Sequence, residues 1–268
     1  MIPRTIHRVW LGSRPPDDTY LENWRRNCPG WQIRTWGNAE AAEIGVPYVR
    51  QALAAGKWAF ASDYLRLLAL YREGGVYLDT DVELAAPLDV FLGDRFSFGL
   101  TKKGRIQTAV LVAEKGNDVV KRILDSYSSS RFDRGYGVYD ERTVNLRMHD
   151  VLRRMGIRPE RPGPGSVAEL PHGIKVYPRS LLCRPEQDRP SVAVHHAAGT
   201  WQDPYKRTNV FILPGGRFRL LRLKKRGNAT PSTPLNLLPD EILRSRLTFR
   251  RWVFALVKVR AKSIDNEN

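Results

Sequence analysis

The chain has 268 residues, 42% of them hydrophobic, and a formal net charge of +16 at pH 7. That length suffices for one substantial core with an appendage, and no apolar run approaches the ~20 residues that a membrane-spanning helix needs. The excess positive charge calls for an anionic partner, and nucleic acid, an acidic membrane surface and a phosphorylated substrate all qualify. Cys28 and Cys183 are the only cysteines, too few and too scattered for a disulfide framework or a zinc cluster. The start, "MIPRTIHRVWLG", lacks a charged segment followed by an apolar one, so a reducing, cytoplasmic setting is expected.

In chain order, residues 4–11 have strand character and end at Gly12, before a Pro-Pro-Asp-Asp loop. A helix is expected over 18–27 and a strand at "WQIRTW". Residues 58–73, "WAFASDYLRLLALYRE", space apolar residues by three and four, and Gly74 and Gly75 supply a helix stop. "VYLD" is then a short apolar strand. "RFSFGL" and "IQTAVLVAE" follow as strands, 117–129 and 140–155 as helices, "RPERPGPGSVAELPHG" as a surface loop, and "KVYP" and "SVAVHHA" as late strands. Strands alternating with helices predict an α/β fold with a mainly parallel central sheet.

The composition changes near residue 205. Between 205 and 268 there are 15 Lys or Arg against four Asp or Glu, a difference of 11 that accounts for most of the excess charge. The expected division is therefore 1–204 as the main domain and 205–268 as a basic, mostly helical, amphipathic extension. Phe249, Trp252 and Phe254 among Arg250, Arg251 and Lys258 suit an interfacial helix, and the extension is expected to touch an anionic membrane peripherally.

Asp79 and Asp81 flank one threonine where the "VYLD" strand ends. Carboxylates are hard oxygen ligands suited to Mg2+ or Mn2+, and ligands of parallel α/β sheets gather at the carboxyl ends of strands. Alone, Asp-x-Asp is short and common, and aspartates also cap turns. One helix upstream, Asp63 and Arg66 stand three residues apart and share a face. Their apolar neighbours suit the wall of a pocket better than a solvated surface. Of His195 and His196, successive residues of a regular strand, at most one points into a given site.

The run "SDYLRLLALYREGGVYLDTDVE" resembles the composite motif of the DXD sugar transferases, glycosyltransferase family 32, and "IPRTIHRVWLG" and "VAVHHAAGTW" extend the resemblance to residues 2–201. That family includes bacterial capsular and lipopolysaccharide transferases and is related to the glucosylating domains of clostridial toxins. The resemblance implies a GT-A fold and a retaining, metal-dependent hexosyltransferase. Its donor would be a UDP- or GDP-linked sugar, its acceptor a saccharide or lipid-linked molecule, and its setting cell-surface polysaccharide synthesis. It implies Mn2+ or Mg2+ held by Asp79, Asp81 and a histidine, His195 before His196. Trp10 would stack on the nucleotide base, Asp63 and Arg66 would contact the donor, and Thr200 and Trp201 would cover the diphosphate and base. Thr108 stands where relatives often carry asparagine near the donor sugar. Two alternatives use the same residues differently. One is a nucleotidyl-transfer enzyme with this metal site. The other is a basic nucleic-acid-binding protein, disfavoured because the positive charge is concentrated in the extension and no nucleic-acid motif is present.

Overall fold

The computed structural model describes residues 1–101, 103–134, 139–159, 162–163, 166–186 and 191–196, and beyond them five strand segments between 206 and 259. The chain divides into two compact units: residues 1–131 with 141–199, and residues 132–140 with 200–268.

The first unit is built on a seven-stranded sheet in the order β2-β1-β3-β6-β5-β8-β7. Its strands are β1 (Thr5–Val9), β2 (Gln32–Trp36), β3 (Gly75–Leu78), β5 (Phe96–Leu100), β6 (Ile106–Ala113), β7 (Ala168–Leu170) and β8 (Ile174–Tyr177). Strands β2, β1, β3, β5 and β8 run one way, while β6 and β7 run against them. The mainly parallel sheet is therefore present, with β6 reversed at its centre. That reversal lays the start of β6 beside the end of β3.

The helices are α1 (Leu21–Asn27), α2 (Asn38–Ala42), α3 (Pro47–Ala54), α4 (Trp58–Glu73), α5 (Asp118–Ser128), α6 (Val144–Arg154) and α7 (Arg179–Leu182). Helix α4 has the bounds that its apolar spacing predicts. The short α2 and α3 escaped the sequence reading. Strand β7 lies inside the stretch expected to be a loop, because "AEL" after the Pro-Gly run pairs antiparallel with β8.

Side chains alternate across the sheet. Ile6, Val76, Leu78, Val110 and Val112 enter one buried cluster with Trp24 of α1 and with Leu88 and Phe91. Tyr77 points the other way, toward α4, where the Arg66 guanidinium carbon lies 4.7 Å from its ring centroid. A separate two-stranded antiparallel ladder joins β4 (Val82–Leu84) to β9 (Ala193–His195), with Val82 opposite His195. Helix α1 fastens β4: Trp24 Nε1 donates to the Val82 carbonyl at 2.8 Å, and Asn23 Oδ1 accepts from the Leu84 amide at 2.8 Å.

The turn from α4 into β3 is tied to β1 by a buried histidine. His7 Nδ1 accepts from Trp36 Nε1 at 3.1 Å, which leaves its Nε2–H to donate to the Gly74 carbonyl at 2.8 Å. Burial lowers the His7 pKa, which suits this neutral tautomer. Gly75 has φ +116, and a Cβ there would stand 2.5 Å from the Thr5 carbonyl oxygen.

The second unit corrects the expectation of a mostly helical extension. Its described segments beyond residue 200 are β10 (Lys206–Arg207), β11 (Phe211–Leu213), β12 (Gly216–Lys224), β13 (Glu241–Phe249) and β14 (Trp252–Val259), all paired antiparallel. The sequence accounts for this: Arg217, Phe218, Arg219 and Leu220 alternate with a period of two, and Val253, Val257 and Val259 are β-branched. Interleaved basic and apolar residues fit a strand as readily as a helix, and Phe249, Trp252 and Phe254 belong to strands here.

Gly75→Ala is expected to lower the unfolding free energy by roughly 2 kcal/mol or more, from positive-φ strain and the clash with Thr5. Thermal and urea unfolding of the full chain measure it; an unchanged melting temperature contradicts the packing described for this turn.

Candidate active site and metal centre

Parallel β1 and β3 end side by side, so Trp10 and Asp79 emerge at the same edge of the sheet. Asp79 is fixed there by its own backbone: its amide donates to the Ala109 carbonyl of β6 at 2.8 Å, and its carbonyl accepts from the Val82 amide at 3.0 Å. The second bond closes the tight turn that carries Asp81 between β3 and β4.

Beneath the turn lies a buried charge relay. Arg66 is 7% exposed and Asp63 8%. Arg66 Nη2 meets Asp63 Oδ1 at 3.1 Å, and its Nη1 meets Asp79 Oδ1 at 3.1 Å and donates to the Thr108 carbonyl at 3.1 Å. The Tyr77 hydroxyl donates to the same Asp79 oxygen at 2.7 Å. Both contacts fall on Oδ1, so Asp79 is held by one oxygen. Asp63 also accepts from the Val144 amide at 2.9 Å, placing a carboxylate at the start of α6, where unpaired amides favour negative charge.

His195 reaches the acidic pair across the β4–β9 ladder, with its Nε2 3.3 Å from Asp81 Oδ1. Burial by itself would lower the His195 pKa. Asp81, Cys183 and Asp79 outweigh that and raise it to about 10. Asp79, Asp81 and His195 each offer one ligand atom, and the three atoms lie within 4.8 Å of one another. Two carboxylates and an imidazole suit Mn2+ or Mg2+, whose bonds to oxygen of ~2.1 Å put ligand atoms up to ~4.2 Å apart. A small inward shift fits the trio to such an ion.

His196 turns away from this trio. Its Nε2 lies 3.0 Å from Glu83 Oε2, and its ring stacks on Tyr20 with centroids 5.1 Å apart. Trp10 is half-buried and donates from Nε1 to the Arg14 carbonyl at 2.8 Å. Thr108 donates to Asn145 Oδ1 at 3.0 Å. Thr200 and Trp201 lie outside the described residues.

Three participants escaped the sequence reading. The Tyr77 hydroxyl hydrogen-bonds Asp79. Asn145, at the start of α6, holds Thr108. Gln107 Nε2 lies 3.2 Å from His195 Nδ1. For Gln107 a signal existed: "QT" interrupts an otherwise apolar eight-residue strand whose every position is buried.

An acidic pair and an imidazole converging at the carboxyl edge of an α/β sheet define a candidate divalent-metal site. Residues 16–97, which contain Asp63, Arg66, Asp79 and Asp81, match the family model described as "Glycosyltransferase sugar-binding region containing DXD motif". Among curated proteins, "Subversion of eukaryotic traffic protein A" of Legionella pneumophila subsp. pneumophila is 25% identical over 163 residues. The match covers 48% of this chain and 25% of the relative, so the chain spans about a quarter of that protein's length. Two solved structures are similar. One is "PaToxG Glycosyltransferase", with a TM-score of 0.45 and 18% identity, covering 57% of this chain and 69% of that one. The other is the UDP-bound glycosyltransferase domain from the YGT toxin, with a TM-score of 0.39 and 13% identity, covering 59% and 68%.

Burial raises the Asp63 pKa to about 6, against the pull of Arg66 and the Val144 amide. A carboxyl raised above its unfolded value of about 3.9 stabilises the fold fully below about pH 4, and that contribution is lost as pH rises through about 6. Asp63→Asn is therefore expected to remove a decline in unfolding free energy on the order of 2–3 kcal/mol between those pH values. Urea unfolding of both proteins from pH 4 to 7 tests this, and parallel curves contradict the assignment.

Proposed function

We propose that the chain is a metal-dependent glycosyltransferase that moves a sugar from a nucleotide diphosphate donor to an acceptor hydroxyl. The observation that carries this reading is the convergence of His195 on Asp79 and Asp81, two aspartates that lie in the segment matching the DXD sugar-binding model. Asp79, Asp81 and His195 would hold the ion. A bound divalent cation there supplies positive charge to the donor's diphosphate as it becomes the leaving group.

The chain's own residues do the rest by position. Arg66 and Tyr77 fix the free rotation of Asp79, so its second oxygen is presented in one direction. Asp63 neutralises Arg66 from below and keeps that guanidinium in place. Trp10, at the neighbouring strand end, would offer an aromatic face for the base, and Thr108 would stand near the donor sugar.

The finer reading is retention of the donor's anomeric configuration by front-face displacement, with the departing phosphate taking the acceptor proton. Retaining glycosidases instead place a carboxylate nucleophile about 5–5.5 Å from the acid. Here Asp63 and Asp79 are committed to Arg66, and Asp81 lies against His195. The donor is read as UDP- or GDP-linked, and the acceptor as a saccharide or lipid-linked saccharide. Peripheral contact with an anionic membrane rests on the positive charge of residues 205–268 alone.

A panel of UDP- and GDP-sugars with Mn2+ tests the reading. Nucleoside diphosphate release is expected, abolished by chelation and reduced at least ~100-fold by Asp81→Asn. Pyrophosphate release instead would establish nucleotidyl transfer, and release that persists under chelation would remove the metal-dependent account.

A further inference from the structure

Gln107 is the side chain at this site whose polar capacity the contacts described so far leave unused. It lies on β6 and is 5% exposed, and its Oε1 is buried without a hydrogen-bond partner. Its other terminal atom, Nε2, faces His195 Nδ1 at 3.2 Å. An amide nitrogen carries two hydrogens and no acceptor, so it satisfies Nδ1 only when that ring nitrogen is bare. The opposite side of the ring demands the reverse. Nε2 is the atom directed at Asp81, and an imidazole can ligate a cation through Nε2 only if the ring proton resides on Nδ1. A ring so protonated needs an acceptor behind it, and Gln107 Oε1 is a buried acceptor with nothing to accept. The oxygen and nitrogen of an amide are nearly equal in size, so a half-turn about the last side-chain bond exchanges their places and sets Oε1 against Nδ1.

We propose that Gln107 is a positioning residue of the metal site: its side-chain carbonyl accepts the Nδ1–H of His195 and thereby commits the Nε2 lone pair to a divalent cation shared with Asp79 and Asp81. The inference rests on the metal reading given above and adds to it the group that selects the ligating tautomer. Metal-bound histidines commonly donate their second ring N–H to a carboxylate or carbonyl, and loss of that partner typically weakens metal binding 10–100-fold. The arrangement also explains why a full-length amide stands beside Thr108 in a strand that is otherwise apolar. From β6, a shorter polar side chain such as the neighbouring threonine would not span the distance to the β9 imidazole.

Mn2+ binding to the full chain, followed by loss of the free-ion electron paramagnetic resonance signal, provides a readout independent of sugar transfer. Gln107→Met keeps the length and removes the acceptor, and it is expected to raise the Mn2+ Kd about 10- to 100-fold. Gln107→Glu keeps an acceptor and is expected to stay within about threefold of the parent. In a His195→Ala background, Gln107→Met is expected to add nothing, because the effect passes through the ring. Nitrogen-detected NMR of the unsubstituted, Mg2+-loaded chain needs no variant, and it is expected to show His195 protonated at Nδ1. Gln107→Met binding Mn2+ like the parent, an equal loss in the His195→Ala background, or a ring protonated at Nε2 would each overturn the proposal. If the parent chain binds Mn2+ and Gln107→Met does too, only the role of Gln107 falls. A parent chain that binds no Mn2+ removes the metal reading and this inference together.

Discussion

Arg66 sits where α4, β3 and β6 meet, with its guanidinium touching a carboxylate from each of two elements and a carbonyl from the third. A buried arginine is tolerable only when its donors are met, and a buried carboxylate only when it is paired. Asp63, Asp79 and the Thr108 carbonyl meet that requirement jointly. Removing Arg66 would leave the buried Asp63 carboxylate with the Val144 amide in place of its ion pair. The acidic pair at the strand end is thus held by a constraint that begins a helix earlier.

That constraint explains why the neighbouring elements are arranged as they are. Asp63 spends one oxygen on Arg66 and the other on the Val144 amide, so α6 starts where the relay ends. Asn145, one residue on, reaches Thr108, and β6 is thereby fixed at its first turn out of the loop. The reversed direction of β6 matters here. An antiparallel strand presents its beginning where the parallel strands end, so Gln107 and Thr108 arrive at the same edge as Trp10 and Asp79.

The helix carrying Asp63 and Arg66, the strand ending in Asp79 and the acidic pair itself were legible because each is a local pattern. Apolar spacing of three and four, a Gly-Gly stop and a run of β-formers need no information from elsewhere. The basic extension was misjudged for the same reason turned around. Its alternation of charged and apolar residues satisfies two periodicities over short windows, and strand pairing, which is non-local, settles between them. Gln107 went unnoticed because a polar residue in an apolar strand gains meaning only from what stands opposite its tip.

The sequence by itself determined the chemistry at the strand end: two carboxylates of fixed spacing, with an aspartate and an arginine on one helical face upstream. Only the tertiary structure decided which histidine joins them. Adjacent strand residues point to opposite sides, and the β4–β9 register turns His195 toward Asp81 and His196 toward Glu83 and Tyr20. The physical reason is range. Residue type and period act over a few positions, whereas the partner of an imidazole more than a hundred residues away is chosen by backbone pairing that no local pattern encodes.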